Sequence, residues 1–163
     1  MQEKEIRILG IDPGFAILGF GLISCFAKPQ KSLAKFLDAG VIETYSSQSL
    51  GERLVTIFED LSQLLKETQP DLVVVEKLFF YRMSTTIPVA QARGIVLLVI
   101  EQLKIPMIEF TPNQVKQALT GSGKADKKDV QEAVATELKL EKVVKPDDAS
   151  DALALALTAW FSY

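Results

Sequence analysis

Histidine is missing from this 163-residue chain, and cysteine occurs once. Those two scarcities exclude an imidazole base, a Ser-His-Asp hydrolase and a soft-metal site built on His and Cys. Cys25 has no partner for an internal disulfide, so nothing points to an oxidising compartment. Set in an apolar run, it reads as a small buried hydrophobe. Long apolar runs are missing as well. Ile95–Ile100, the longest near the middle, falls far short of a bilayer span. Residues 1–7 are highly charged and lack the apolar segment of a signal peptide. The expectation is a cytoplasmic protein without membrane association. Any enzymatic chemistry then rests on carboxylates, lysines, hydroxyls or hard metals bound through oxygen.

What is present suits a single folded unit. Apolar residues make up 48% of the chain and charged residues 24%, so one domain spanning 1–163 is expected. The net charge of -3 argues mildly against general nucleic-acid binding, but its distribution does not. Lys77–Lys128 holds eight basic and three acidic residues, whereas each flank is net negative. A basic middle between acidic ends can form a basic face.

Along the chain, Ile6–Asp12 and Phe15–Phe26 are apolar runs joined by an Asp-Pro-Gly turn, which predicts a β-hairpin. Lys35–Tyr45 reads as a third strand. Leu50–Thr68 has apolar residues at helical spacing and is closed by Pro70. Asp71–Glu76 is short and rich in valine, as in a buried parallel strand. Lys77–Thr86 has no period and reads as a loop; Pro88–Leu103 reads as a helix opened by proline. Ile105–Phe110 is a fifth strand. Thr111-Pro112 looks like an N-cap and first helical residue of a helix to Leu119. Gly121–Gly123 is a loop, and Asp126–Leu140 and Asp147–Phe161 are helices. A three-strand meander followed by alternating strands and helices fits an α/β fold with a mixed five-stranded sheet flanked by helices, the order of the ribonuclease-H-like fold.

Four carboxylates stand at places where such a fold gathers ligands. Asp12 follows the run ILGI, and Glu76 ends the run DLVVV. Carboxyl ends of strands border the binding crevice of open α/β sheets. Asp148 and Asp151, three apart at the start of an apolar helix, share one face. Singly, each has a structural explanation: a turn, a strand end, or a helix start where Asp147 or Asp148 could cap. Together they would repel one another unless a cation sat among them, and oxygen ligands select Mg²⁺ or Mn²⁺. Two such ions about 4 Å apart suit an in-line phosphoryl displacement and need no imidazole. Phe79, Phe80, Tyr81 and Arg82 follow closely and could stack on unpaired bases. Lys116, Lys124, Lys127 and Lys128 flank the glycine loop and could contact phosphates.

The stretches ILGIDPG (8–14), VVVEKLFFYR (73–82), QARG (91–94), QVKQAL (114–119) and DDASDALALALT (147–158) occur in an order and spacing that resembles the bacterial RuvC-type Holliday-junction resolvases. The resemblance covers nearly the full chain. It implies a homodimeric, Mg²⁺-dependent endonuclease of ribonuclease-H-like fold, nicking two strands of a four-way junction symmetrically in recombination and repair. It carries Asp12, Glu76, Asp148 and Asp151 over as metal ligands, two ions per active site, with Mn²⁺ able to substitute. It carries Phe79 over as a stacking residue and Lys116 and Lys127 as DNA contacts; Arg82 joins them from the aromatic segment. It also places the Gln91–Gly94 helix near a dimer interface and implies work with the RuvA–RuvB branch-migration complex. Competing classes are a ribonuclease-H-like nuclease for RNA or DNA flaps, a non-catalytic junction binder, and an ATP-binding domain of the actin and sugar-kinase type. The last needs a second lobe for which the chain is too short.

Overall fold

The computed structural model describes residues 4–26, 33–78 and 83–162. Five strands form one sheet: β1 (Glu5–Asp12), β2 (Ile17–Phe26), β3 (Lys35–Glu43), β4 (Leu72–Glu76) and β5 (Met107–Phe110), in the order β3-β2-β1-β4-β5. β1 pairs antiparallel with β2 and β2 with β3; β4 lies parallel to β1, and β5 parallel to β4. Strands alternate the direction of their side chains. In β1, Ile8 joins the cluster on one face and Leu9 and Ile11 the cluster on the other. The first face packs on α3 (Pro112–Thr120), α4 (Lys127–Glu137) and α5 (Asp147–Phe161), the second on α1 (Leu50–Thr68) and α2 (Met83–Gln102).

Capping fixes three helix starts. Ser49 with Glu52, Thr111 with Gln114 and Asp126 with Asp129 each form a reciprocal capping box, worth about 1 kcal/mol apiece. Three expectations need correction. α2 begins at Met83, so Pro88 lies inside the helix instead of opening it, and the expected loop to Thr86 is partly helical. Polar Ser84, Thr85 and Thr86 give no apolar period, which hid the first turn. α5 is preceded by Pro146 in extended conformation with no side-chain cap, so Asp147 and Asp148 occupy its first turn instead of capping it. α4 ends at Glu137, and Lys139 adopts a positive φ of 53° just beyond it.

Candidate active site

The two strand-borne carboxylates are placed by the sheet. Ile11 pairs with Val75 in the parallel ladder, and Asp12 and Glu76 are the next residues on each strand. Both follow the alternation of Ile8 and of Leu72 and Val74, so they face the α5 side. The chain runs from β1 outward through β2 and β3, then crosses back to β4 on β1's other side. Asp12 and Glu76 therefore flank the crevice where the strand order reverses, the place where open α/β sheets bind ligands.

The helix-borne carboxylates are placed by close packing. A Cβ built on Gly19, which faces Asp12 across the β1–β2 ladder, would lie 2.1 Å from the Asp148 carbonyl oxygen. One on Gly10 would lie 1.8 Å from the Ala152 carbonyl oxygen. Only glycine lets the α5 backbone approach the sheet so closely. From Ala149 to Trp160 every residue of α5 except Asp151 is buried, which holds its first turn over the strand ends. Asp148 and Asp151 are thus brought beside Asp12: both raise its pKa through their charge.

Asp12 is pushed up to about 8 from 3.8, chiefly by burial, then by Glu76 and Asp151, by a hydrogen bond to Glu76, and by Asp148. Glu76 is also raised by burial, against the hydrogen bond from protonated Asp12. The two share one proton. Asp151 is raised by burial, with Lys127 opposing. Lys127 Nζ lies 3.3 Å from Asp151 Oδ2 and 3.4 Å from Asp147 Oδ2. Burial works to lower its pKa, yet those two carboxylates hold it above the usual lysine value. Asp147 is held low first by a hydrogen bond from Lys145, 2.7 Å away.

Among the described residues, no three acidic side chains are drawn together tightly enough to cage a cation as they stand. The donor set nevertheless fits a hard divalent ion. It is all carboxylate oxygen, and it repels itself strongly enough to keep Asp12 protonated near neutral pH. A divalent ion can take the place of the shared proton.

All four expected carboxylates meet at one crevice, and Lys127 joins them through Asp151. Lys116, on α3, is half-exposed and makes no ion pair among the described residues. Phe79 and Arg82 lie outside the described residues. Sequence reasoning missed the glycine approach, although glycines at 10, 19 and 21 in two apolar strands were a signal. It also missed Asp147 as a partner of Lys127, and two contacts around the crevice. Arg53 lies 3.8 Å over the Phe15 ring, and its Nε donates to Thr44 Oγ1 at 2.9 Å, whose hydroxyl donates to the Phe15 carbonyl at 2.7 Å. This brace pins the turn after Asp12. Arg93 on α2 pairs with Glu109 on β5.

Residues 8–159 match the family model of crossover junction endodeoxyribonuclease RuvC. A Synechococcus (strain WH7803) crossover junction endodeoxyribonuclease RuvC is 53% identical over 96% of this chain and 99% of its own length. A solved Thermus thermophilus RuvC structure superposes with a TM-score of 0.87 at 34% identity, covering 96% of this chain and 95% of that one. A second, of T. thermophilus RuvC in complex with Holliday junction substrate, gives 0.85 at 31% identity over the same shares. With sequence match and fold agreeing over nearly the full length, the chain belongs to the RuvC family of crossover junction endodeoxyribonucleases.

Proposed function

We propose that this chain is a structure-selective endonuclease that resolves four-way DNA junctions by paired, symmetrical, metal-dependent nicks during homologous recombination and repair. The observation that carries this reading is the convergence of Asp12, Glu76, Asp148 and Asp151 on the crevice between β1 and β4. Relatives that bear the family name are nucleases, and one solved relative holds junction substrate.

Asp12, Glu76, Asp148 and Asp151 would hold Mg²⁺, two ions per site, with Mn²⁺ able to substitute. Asp12 would serve both ions, Glu76 one, and Asp148 with Asp151 the other. A bound ion supplies Lewis-acid activation of the attacking water and neutralises charge on the phosphodiester. The proton that Asp12 shares with Glu76 would leave to solvent when both carboxylates take up ligand roles. Lys127, already against Asp151, offsets charge that gathers near that side of the crevice. Phe79 stacks on an opened base, and Arg82 and Lys116 contact the backbone.

Two symmetrical nicks call for two sites, and each chain supplies one carboxylate cluster, so the working form is a homodimer with the α2 helix near its interface. Residues 1–163 act as one nuclease domain, in the cytoplasm, with the RuvA–RuvB complex as partner. No described helix is long and apolar enough to cross a membrane.

The test is a labelled mobile four-way junction incubated with Mg²⁺ or EDTA, mapping both nicks, beside a plain duplex and an RNA–DNA hybrid. Symmetrical nicks in the junction alone, with Mg²⁺ alone, are expected. Asp12→Asn that still cuts the junction in Mg²⁺ would sink the ligand assignment.

A further inference from the structure

Lys127 stands between two carboxylates that differ in what else they touch. Its Nζ lies 3.3 Å from Asp151 Oδ2 and 3.4 Å from Asp147 Oδ2, so distance favours neither. Asp147 and Asp151 are one helical turn apart at the start of α5, and Lys127 is the first residue of α4. Asp151 presses on Asp12 through its charge and belongs to the cluster in the crevice. Asp147 is engaged from the other side. Its Oδ1 accepts from Lys145 Nζ at 2.7 Å, which leaves Oδ2 for Lys127. Gln131, one turn further along α4 and largely buried, also helps to hold Asp147 in its charged form.

The two carboxylates answer a divalent cation differently. A carboxylate that binds one has its charge neutralised, and an ammonium beside it then meets a net positive neighbour. Asp151 therefore loses its hold on Lys127 when it serves as a ligand. Asp147, tied to Lys145 and outside the ligand set, keeps its charge and its place. An ammonium has three N–H donors. With one on Asp147, the others can face the crevice and a phosphate oxygen there. Without Asp147, Lys127 is a half-exposed side chain on a flexible four-carbon stem, repelled by the occupied site.

We propose that Asp147 is a positioning residue that keeps the Lys127 ammonium at the crevice once Asp151 is engaged as a metal ligand. This rests on the ligand assignment and the junction-nuclease reading above. It separates the two neighbouring acids at the start of α5. Asp148 acts on the metal side, and Asp147 acts only through Lys127.

The experiment uses the full chain as parent, Asp147→Asn, Asp147→Glu, Lys127→Met, and Asp147→Asn combined with Lys127→Met. One readout is side-chain NMR of the Lys127 ammonium without DNA, before and after Mg²⁺, its signal identified by its loss in Lys127→Met. The parent signal is expected to stay ordered when Mg²⁺ is added, and the Asp147→Asn signal to become as mobile as that of an exposed lysine. The other readout is single-turnover junction nicking at saturating Mg²⁺. Asp147→Asn slows it about tenfold, Asp147→Glu brings it back to within about threefold of the parent, and Asp147→Asn changes the rate of the Lys127→Met protein by about twofold or less. An Asp147→Asn protein that nicks at the parental rate overturns the proposal. Equal slowing of the parent and of Lys127→Met also overturns it, because Asp147 then supports α5 or binds metal itself. So does a Lys127 signal that Mg²⁺ frees in both proteins or in neither. A parent that nicks no junction defeats the nuclease reading, and the NMR result alone then decides whether Asp147 holds Lys127.

Discussion

One methyl group at Gly19 tests how the two halves of the site are held together. The Cβ of Gly19→Ala would meet the Asp148 carbonyl oxygen at 2.1 Å and its carbonyl carbon at 2.4 Å, where ordinary contacts begin at 3.4 Å. Both atoms are backbone of Asp148 on the buried helix α5, and Gly19 is held in the interior strand β2, so no side chain can swing aside. α5 must lift by more than an ångström at the turn that carries Asp148. Overpacking of this kind costs about 1–3 kcal/mol, and the rigid surroundings place it at the upper end. For a chain of this size, about 3 kcal/mol lowers the melting temperature by about 6–12 °C. Displacement of a catalytic group by an ångström costs about 100-fold in rate. Gly51→Ala is the control: its Cβ meets nothing within 4 Å, and in α1 it gains up to about 0.5 kcal/mol of helix preference. Melting by circular dichroism and single-turnover junction nicking read the two effects. A Gly19→Ala protein that melts within about 2 °C of the parent and nicks at the parental rate refutes the reasoning.

Four further outcomes are expected. Asp12 binds its proton with a pKa of about 8 when folded against 3.8 as the ordinary value, so its contribution to stability is full below about pH 4 and drains away as pH rises toward 8. Asp12→Asn in EDTA should therefore be more stable than the parent at pH 8, by about 1–3 kcal/mol once water screening of this half-buried group is counted, and nearly equal at pH 4.5; an advantage independent of pH counts against it. Lys127→Met removes an ammonium that competes for Asp151, so the Mg²⁺ midpoint for nicking should tighten while the maximal rate falls, and a weaker midpoint argues the reverse. Arg53→Met keeps apolar contact with Phe15 but loses the cation–π contact and the bond to Thr44, a loss of about 1–2 kcal/mol measurable in urea. Cys25, buried and pushed up to about 11 by that burial and by Glu5 and Asp71, should react with a thiol reagent at pH 8 about 100-fold more slowly folded than unfolded.

The helices that carry the site were legible where residue pattern and packing agree. The apolar spacing from Leu50 to Leu65 marked α1, and the unbroken Ala and Leu of α5 marked a helix buried on most sides. The start of α2 was not legible, because Pro88 mimics an N-terminus while Ser84, Thr85 and Thr86 hide the turns before it. The four carboxylates were legible one by one, and their order along the chain matched a family. Their convergence was not, since it depends on Gly10 and Gly19 meeting a helix from the far end of the chain. Nor was the pairing of Lys127 with both Asp147 and Asp151, which follows from α4 lying beside the first turn of α5.

The site gathers like charges, so something else must hold them. Raising Asp12 by about four units corresponds to a ceiling of about 5–6 kcal/mol of unfavourable interaction with its surroundings. Against it stands the helix that brings two of the carboxylates in. Leu153, Leu155 and Leu157 on α5 are almost fully buried, and each such side chain contributes about 1.5–3 kcal/mol, or about 5–9 kcal/mol together as an upper estimate. Core burial on one helix is thus of the same size as the repulsion or larger. The position of Asp148 and Asp151 is therefore set by packing behind them and not by attraction ahead of them. A cation entering the crevice would meet carboxylates that packing has already brought beside Asp12, and would have to displace the Asp12–Glu76 proton and loosen Lys127 from Asp151.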